Sequence, residues 1–190
     1  MRPRQRLVIA GGIGSGKSLV VSALSELGWS TIDADRVGHE VLVDPDVVDE
    51  VASRWPAAVI GGIVNRSALA GIVFSDHNDL AVLERLTQPV IADRIHAWVE
   101  SSPEPRAIEV SVLKAIRPEW GDTLIVHTLF HLRLRRAIER GLNPADAKAR
   151  MDAQPADSEW LAAADVVIDN QGTLSELRER VVLLDRWARA

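Results

Sequence analysis

The chain of 190 residues is 47% apolar and 26% charged, which indicates one compact domain and excludes a disordered chain. Its net charge of −5 excludes a uniformly basic surface of the kind that binds duplex nucleic acid. It contains no cysteine, which excludes disulfide frameworks and thiolate metal sites, and no apolar run approaches the roughly 18 residues of a membrane span. We therefore expect a soluble, cytoplasmic protein without nucleic-acid or membrane partners, whose anionic ligands are bound locally.

The first third of the chain alternates between predicted strands and helices. An apolar run at 7–10 predicts a strand, helical spacing at 18–27 predicts a helix, and 29–32 predicts a second strand. A further amphipathic helix is predicted at about 47–55, and Gly61-Gly62 marks a turn. This alternation is typical of a parallel sheet covered by helices.

The rest of the chain has a long helical stretch followed by a return to alternation. The pattern from 65 to about 101 is helical without an intervening strand signal, and Pro103 and Pro105 end it. The later predicted strands lie at 107–113, 123–128 and 166–168. Three later helices are predicted: the first covers 129–140, the second is capped by Asn143 with Pro144 at its first position, and the third is opened by Thr173 and Glu176. The chain therefore predicts five strands in one sheet.

Residues 11–18, Gly-Gly-Ile-Gly-Ser-Gly-Lys-Ser, match the phosphate-binding P loop, and we use that name for them. The glycines let the backbone fold around phosphate oxygens, and the helix that follows directs free N–H groups and its positive end at them. Lys17 is expected to neutralise the β and γ phosphates of a nucleotide, and the Ser18 hydroxyl is expected to ligate Mg²⁺. The alternative, a glycine-rich turn followed by an accidental Lys-Ser pair, requires the flanking strand and helix to be coincidental.

Two carboxylates follow the second predicted strand, where open α/β sheets place their chemistry. Phosphoryl transfer to a hydroxyl needs a carboxylate that orients the hydroxyl and accepts its proton, and Asp33 is the candidate. Asp35 is predicted to cap the next helix. The alternative is that both residues are solvated turn and cap residues. Glu109, late in the third strand, is a weaker candidate for binding a Mg²⁺-coordinated water.

The predicted helix at 129–140 carries on its exposed face an arginine stripe formed by Arg133, Arg136 and Arg140, with Arg135 beside it. In a small kinase such a stripe belongs to a lid whose guanidinium groups close over the transferring phosphoryl group. The alternative is a solvated helix face that pairs with Glu139 or other surface carboxylates.

The chain resembles the dephospho-coenzyme A kinases over nearly its whole length. The most specific part of the resemblance is the P loop combined with Ile32-Asp33-Ala34-Asp35 at this spacing. Further matching segments are Asn65-Arg66-Ser67-Ala68-Leu69, Ile72-Val73-Phe74, Gln88-Pro89-Val90-Ile91, Arg136, Arg140, Arg150, Gln154, and 164–170 with Gly172. The resemblance implies an enzyme that uses ATP and Mg²⁺ to phosphorylate the ribose 3′-hydroxyl of dephospho-CoA, the last step of CoA synthesis.

The implied fold is the α/β P-loop nucleotide-kinase type, with a five-stranded parallel sheet flanked by helices, an inserted helical acceptor-binding region and a lid. We expect one kinase domain over 1–190, with its core at 1–60, 104–128 and 164–190, the acceptor-binding region at about 61–103 and the lid at about 129–163. The implied catalytic residues are Asp33 as base with Lys17 and Arg140 at the phosphoryl group, and Asn170 is expected near the adenine. The implied ATP-binding residues are Gly12, Ile13, Gly14, Ser15, Gly16, Lys17, Ser18, Arg136 and Asn170.

The departures from the family lie mainly on the acceptor side and at the base of the lid. The family usually has His-Pro in place of Gln88-Pro89 and Pro-Leu-Leu-Phe-Glu in place of 111–115, which begins at Ser111 and ends at Ala115. An Asp or Cys followed by a proline is replaced here by 127–130, which begins at His127, and the basic residue expected near Trp160 is missing. His39 stands where the family often has arginine.

Three functions remain in competition at this point. The first is dephospho-CoA kinase activity, and the second is a P-loop kinase that acts on another small hydroxylated or nucleotide acceptor. The third is a nucleotide-binding paralogue with little catalysis, for which the altered acceptor side is the argument and the retained Asp33 and Lys17 are the counter-argument.

Overall fold

The structure is a computed structural model that describes residues 5–102 and 104–190. The strands are β1 (Arg6–Ala10), β2 (Ser30–Asp33), β3 (Val59–Ile60), β4 (Ile63–Val64), β5 (Arg106–Val110), β6 (Asp122–His127) and β7 (Val166–Asp169). The helices are α1 (Lys17–Glu26), α2 (Ala34–Val41), α3 (Pro45–Arg54), α4 (Arg66–Val73), α5 (His77–Glu100), α6 (Phe130–Glu139), α7 (Pro144–Asp152), α8 (Asp157–Ala162) and α9 (Leu174–Arg189).

Five of the strands form one parallel sheet in the order β2-β5-β1-β6-β7. β1 lies at its centre because its run Leu7–Ala10 is apolar on both faces and fully buried, as a strand covered by helices on both sides requires. The core on one face is built by residues from β1, β6, β7, α1 and α9, among them Ile9, Leu24 and Leu177. The loop after β1 is thus anchored to the best-buried strand of the sheet.

The chain divides into two compact units. The first comprises Met1–Asp33 and Val99–Ala190 and contains the five-stranded sheet, and the second is Ala34–Trp98. The predicted acceptor-binding region, about 61–103, falls largely within the second unit, although that unit begins earlier, at Ala34. Residues 1–4 of the predicted core and Pro103 lie outside the described residues. The assignment of these ranges to acceptor binding and to a lid stays a prediction.

The second unit consists of helices and the hairpin β3–β4. Its turn is Gly61-Gly62, both in the left-handed region that such a two-residue turn requires. The side chain of Asn65 caps α4 by accepting from the Ala68 N–H at 3.1 Å. Surface ion pairs from Arg54 and Arg94 connect α5 to the neighbourhood of α3, and each contributes about 0–1 kcal/mol.

The predicted α/β fold with a five-stranded parallel sheet is confirmed, and most elements lie within two residues of their predicted positions. Three details differ. β5 ends at Val110 and not at 113, since a short 3₁₀ helix at Leu113–Ala115 follows. The prediction that Asp35 caps α2 is wrong, because the helix already begins at Ala34. α8 and the strands of the hairpin were not predicted. Among the described residues no helix is both long and apolar enough to span a membrane.

Candidate active site

The P loop connects the central strand β1 to α1, as its motif predicts. Gly16 precedes the first turn of α1 with a φ of 99°, a left-handed conformation that favours glycine. No side chain caps this helix, and its first turn contains no acidic residue. The positive end of the α1 dipole therefore faces the loop without a competing negative charge, which is the electrostatic condition for binding an anion.

The two reactive side chains of the P loop take different positions. The ammonium group of Lys17 donates to the backbone carbonyl of Gly11 at 2.9 Å and, more weakly, to that of Gly12 at 3.4 Å. It therefore lies over the loop, in reach of a phosphate chain bound there. Ser18 follows on α1 and is exposed. Its hydroxyl is accessible to a metal ion that arrives with a nucleotide.

Side chains from distant parts of the sequence support the loop from behind. The side-chain amide of Asn170 donates to the Ser15 carbonyl at 2.7 Å, and the Thr128 hydroxyl lies 3.0 Å from the same oxygen. The Gln154 side-chain oxygen accepts from the Ile13 N–H at 2.8 Å. Gly16 has no room for a side chain, because a Cβ there would overlap the Asn170 amide. The loop conformation is thus fixed by residues that follow β6, α7 and β7.

Asp33 is the last residue of β2 and is exposed, as expected of a candidate base at this edge of the sheet. In the parallel pairing of β2 with β5 it lies directly opposite Glu109. Neighbouring strands are about 4.8 Å apart, so the two carboxylates occupy adjacent positions at the carboxyl end of the sheet. Glu109 lies on the strand next to β1, from which the P loop continues, whereas Asp33 lies one strand further away.

The three arginines of the predicted stripe do not share one exposed face. Arg140 is exposed, while Arg136 is half-buried and donates to the Asn170 carbonyl at 2.9 Å. Burial and the neighbouring positive charges of Arg135 and Arg140 lower the pKa of Arg136. Arg133 is 4% exposed and faces inward, so the prediction that it belongs to the exposed stripe is wrong. Arg133 faces inward because it lies four residues before the buried Ala137, on the same face of α6.

Asn170 is 3% exposed, and its side-chain amide is engaged with the loop. Its expected position near an adenine stays a prediction. Sequence reasoning assigned no role to Thr128 and quoted Gln154 only as part of a motif. For Gln154 the only signal was its place after Arg150 in the matching pattern. For Thr128 there was none, because the backbone contacts of a single polar side chain leave no periodic trace in a sequence.

The acceptor-side departures lie in two places. Ser111 and Ala115 follow β5, at the same edge of the sheet as Asp33, and both are half-buried. Gln88 lies in the middle of α5, in the second unit, next to Pro89 inside the helix. Trp160, on α8, is almost fully buried.

The described residues contain no cluster of three or more acidic, histidine or cysteine side chains that could hold a metal ion alone. Mg²⁺ in nucleotide-dependent enzymes is commonly bound by one or two protein oxygens together with substrate phosphates and water. The accessible Ser18 hydroxyl beside a loop suited to phosphate fits that kind of binding. Loop, arginines and paired carboxylates together can hold a phosphate chain and activate a hydroxyl group.

Comparison with known proteins gives a consistent result. A sequence model of dephospho-CoA kinase matches residues 6–176. The dephospho-CoA kinase of Leifsonia xyli subsp. xyli is 37% identical over 97% of this chain and 98% of its own. A crystal structure of a Thermus thermophilus protein is 30% identical, covers 95% of this chain and 96% of its own, and superposes with a TM-score of 0.80. The dephospho-CoA kinase structure from Campylobacter jejuni shares the fold at 24% identity, with a TM-score of 0.73 and 96% coverage of both chains.

Proposed function

This chain belongs to the dephospho-CoA kinase family, and from that premise we propose that it transfers the γ-phosphoryl group of ATP to the ribose 3′-hydroxyl of dephospho-CoA. The products are CoA, ADP and a proton. The observation that carries the proposal is the P loop on the central strand with Asp33 at the same edge of the sheet, in a chain similar to these kinases over nearly its full length.

Asp33 is the proposed catalytic base. Its carboxylate accepts the proton of the 3′-hydroxyl as the oxygen attacks the γ-phosphorus, and the bond from that phosphorus to the ADP oxygen breaks. The position of Asp33 at the carboxyl end of an edge strand supports this role, since the carboxylate is exposed there. Glu109, opposite it in the sheet, adds a second carboxylate at the same edge.

Charge neutralisation of the transferring phosphoryl group is the proposed task of three cations. Lys17 already lies over the loop carbonyls, and Arg136 is fixed at the Asn170 carbonyl next to the loop. Arg140 follows Arg136 by one helical turn and is exposed, so it is free to turn toward a bound phosphate chain. Ser18 would hold Mg²⁺, which supplies additional neutralisation of the phosphates when bound.

We further propose that residues within about 61–103 bind the acceptor and that about 129–163, with α6, α7 and α8, act as the lid. The side-chain contact of Gln154 with the Ile13 N–H supports the second assignment, because it joins the end of α7 directly to the P loop. Movement of this segment on nucleotide binding would change the contact between Gln154 and Ile13.

The experiment that tests the proposal is an ADP-release assay of the wild type and Asp33→Asn with Mg²⁺ and ATP, comparing dephospho-CoA, adenosine, AMP and no acceptor. We expect release only with dephospho-CoA and loss of that release in the variant. Faster release with another acceptor would assign a different substrate, for which the replacements Gln88, Ser111 and Ala115 are the structural reason. ATP binding without stimulation by any acceptor would assign a nucleotide-binding protein.

A further inference from the structure

Arg133 is a buried charge next to the P loop that the proposed mechanism does not use. It lies on the inner face of α6 and is 4% exposed. One of its guanidinium nitrogens donates to a carboxylate oxygen of Asp157, at the start of α8, at 2.8 Å. The guanidinium also lies 5.6 Å from the centre of the Phe130 ring. Its orientation is therefore set by α6 and α8 together.

The same residue contacts the P loop at two points. A Cβ added to Gly12 would overlap the Arg133 guanidinium, and one added to Gly14 would come within 2.5 Å of the Arg133 carbonyl oxygen. Two of the loop glycines thus leave space for this one residue. Arg133 fills the space behind the first half of the loop, as Asn170 does behind the second half.

The guanidinium is only partly neutralised. The Asp157 carboxylate pairs with one terminal nitrogen, and the other two nitrogens of Arg133 have no hydrogen-bond partner among the described residues. Burying a charge is unfavourable unless it is well paired, and an apolar side chain of similar volume commonly serves stability as well or better. Packing alone therefore does not account for an arginine at this position.

The cavity between Arg133 and the loop is small. It measures about 10 Å³, and its lining includes Gly12, His127, Arg133, Asp157 and Trp160. A phosphate group does not fit into this space. Arg133 thus packs against the loop backbone and places a positive charge next to it, without contacting a nucleotide in this cavity.

Two departures from the family meet at this cavity. His127 stands in place of the expected Asp or Cys, and its ring nitrogen is 4.0 Å from Asp157. Trp160 stands near the position of the missing basic residue and lines the same cavity as Arg133. The chain thus lacks a basic residue near 160 on α8, but Arg133 on α6 supplies a positive charge to the same cavity.

We propose that Arg133 is a positioning residue of the P loop. Asp157 holds its guanidinium against Gly12, and this contact keeps the loop in the conformation that accepts a phosphate chain while placing a positive charge behind it. The inference rests on the proposed function only in requiring that the loop binds ATP.

The test compares Arg133→Gln with Arg135→Gln, which removes an exposed arginine two residues away that is paired with Glu139. The dissociation constant for ATP is measured by calorimetry without acceptor, alongside circular dichroism and the Tm. We expect Arg133→Gln to bind ATP about tenfold more weakly or worse, as loss of a charged, buried hydrogen bond suggests, and Arg135→Gln to stay within about twofold. Equal ATP affinities of the two variants would overturn the proposal, whatever happens to the Tm.

Asp157→Asn provides a second, independent route, because this side chain is partly exposed and its replacement is compatible with folding even if Arg133→Gln is not. We expect weaker ATP binding for Asp157→Asn and no change for the matched exposed variant Asp146→Asn. If Arg133 and Asp157 act as one unit, the double variant that carries both Arg133→Gln and Asp157→Asn binds ATP no more weakly than the weaker-binding single variant. Additive losses of affinity in the double variant would contradict the proposal. A wild type that binds ATP without transferring phosphate would refute the proposed function. The positioning role of Arg133 would still be tested by the ATP affinities of the variants.

Discussion

The side-chain amide of Asn170 donates to the backbone carbonyl of Ser15 at 2.7 Å, across 155 residues of sequence. Both residues are buried, and Arg136 donates to the carbonyl of the same asparagine. One residue after β7 therefore links the P loop to an arginine of the proposed lid. Changes at Asn170 are expected to affect nucleotide binding even if the side chain never contacts the nucleotide.

Asn170→Asp replaces the donor amide with an acceptor that faces the Ser15 carbonyl. We expect the free energy of unfolding to fall by about 1–3 kcal/mol and ATP binding to weaken, because a buried carboxylate oxygen and a carbonyl oxygen repel each other. Urea unfolding and calorimetry with ATP measure the two effects. The control is Asn143→Asp at the exposed cap of α7, where Asp and Asn cap equally well. Similar results for the two variants would contradict the role of Asn170.

Asp33→Asn tests the base directly. We expect kcat to fall by about 10²–10⁴-fold, the usual contribution of a positioned general base, with the dissociation constant for ATP unchanged. Asp46→Asn, an exposed carboxylate in the first turn of α3, is the matched control and should keep full activity. If Asp33→Asn retains turnover, another carboxylate is the base, and Glu109 is the nearest one in the sheet.

Arg140→Gln removes an exposed cation of the proposed lid. Because its proposed role is to stabilise charge that develops in the transition state, we expect kcat to fall about 10²-fold while ATP affinity changes little. Steady-state kinetics with both substrates varied separates the two parameters. Arg135→Gln, on the same helix and similarly exposed, should retain wild-type kcat. Equal kinetics for both variants would show that Arg140 is only a solvent-exposed surface residue without a role in transfer.

Acid sensitivity is expected at Asp185, on α9. Burial raises the pKa of this carboxyl, but hydrogen bonds from Trp29 and Arg189 outweigh burial and hold the pKa below its ordinary value of 3.8. The folded state therefore binds this proton less readily than the unfolded chain does. The stabilisation is present above about pH 4 and is lost as the pH falls through the folded-state pKa.

Asp185→Asn is accordingly expected to unfold more easily than the wild type at pH 7, by about 1.5–3 kcal/mol, since the indole N–H of Trp29 donates to a charged oxygen at 2.7 Å. The difference should shrink as the pH is lowered below about 4, which thermal unfolding over a pH series measures. Glu26→Gln, in an exposed pair with Arg178, should change stability by less than about 1 kcal/mol. A pH-independent difference for Asp185→Asn would contradict the assignment.

Sequence patterns predicted those features that depend on local order. The strand, P loop and helix at 7–27 follow from glycine placement and apolar spacing, and the caps Asn143 and Thr173 follow from short motifs. Its spacing from Ala137 places Arg133 on the inner face of α6, but that an arginine can be buried there could not be predicted locally. A buried arginine requires a partner, and Asp157 lies 24 residues further along the chain. The predicted cap at Asp35 lies two residues after the cap position of a helix that begins at Ala34, which is within the usual precision of a predicted helix start.

The supports of the P loop also determine when the site can form. The loop at 11–18 is near the N-terminus, but its contacts come from Thr128, Arg133, Gln154 and Asn170. On the ribosome the loop emerges first and its supports emerge last, since domains complete their packing only after the contributing segments are synthesised. A nascent chain released before residue 170 carries the whole phosphate-binding motif without the contacts that shape it.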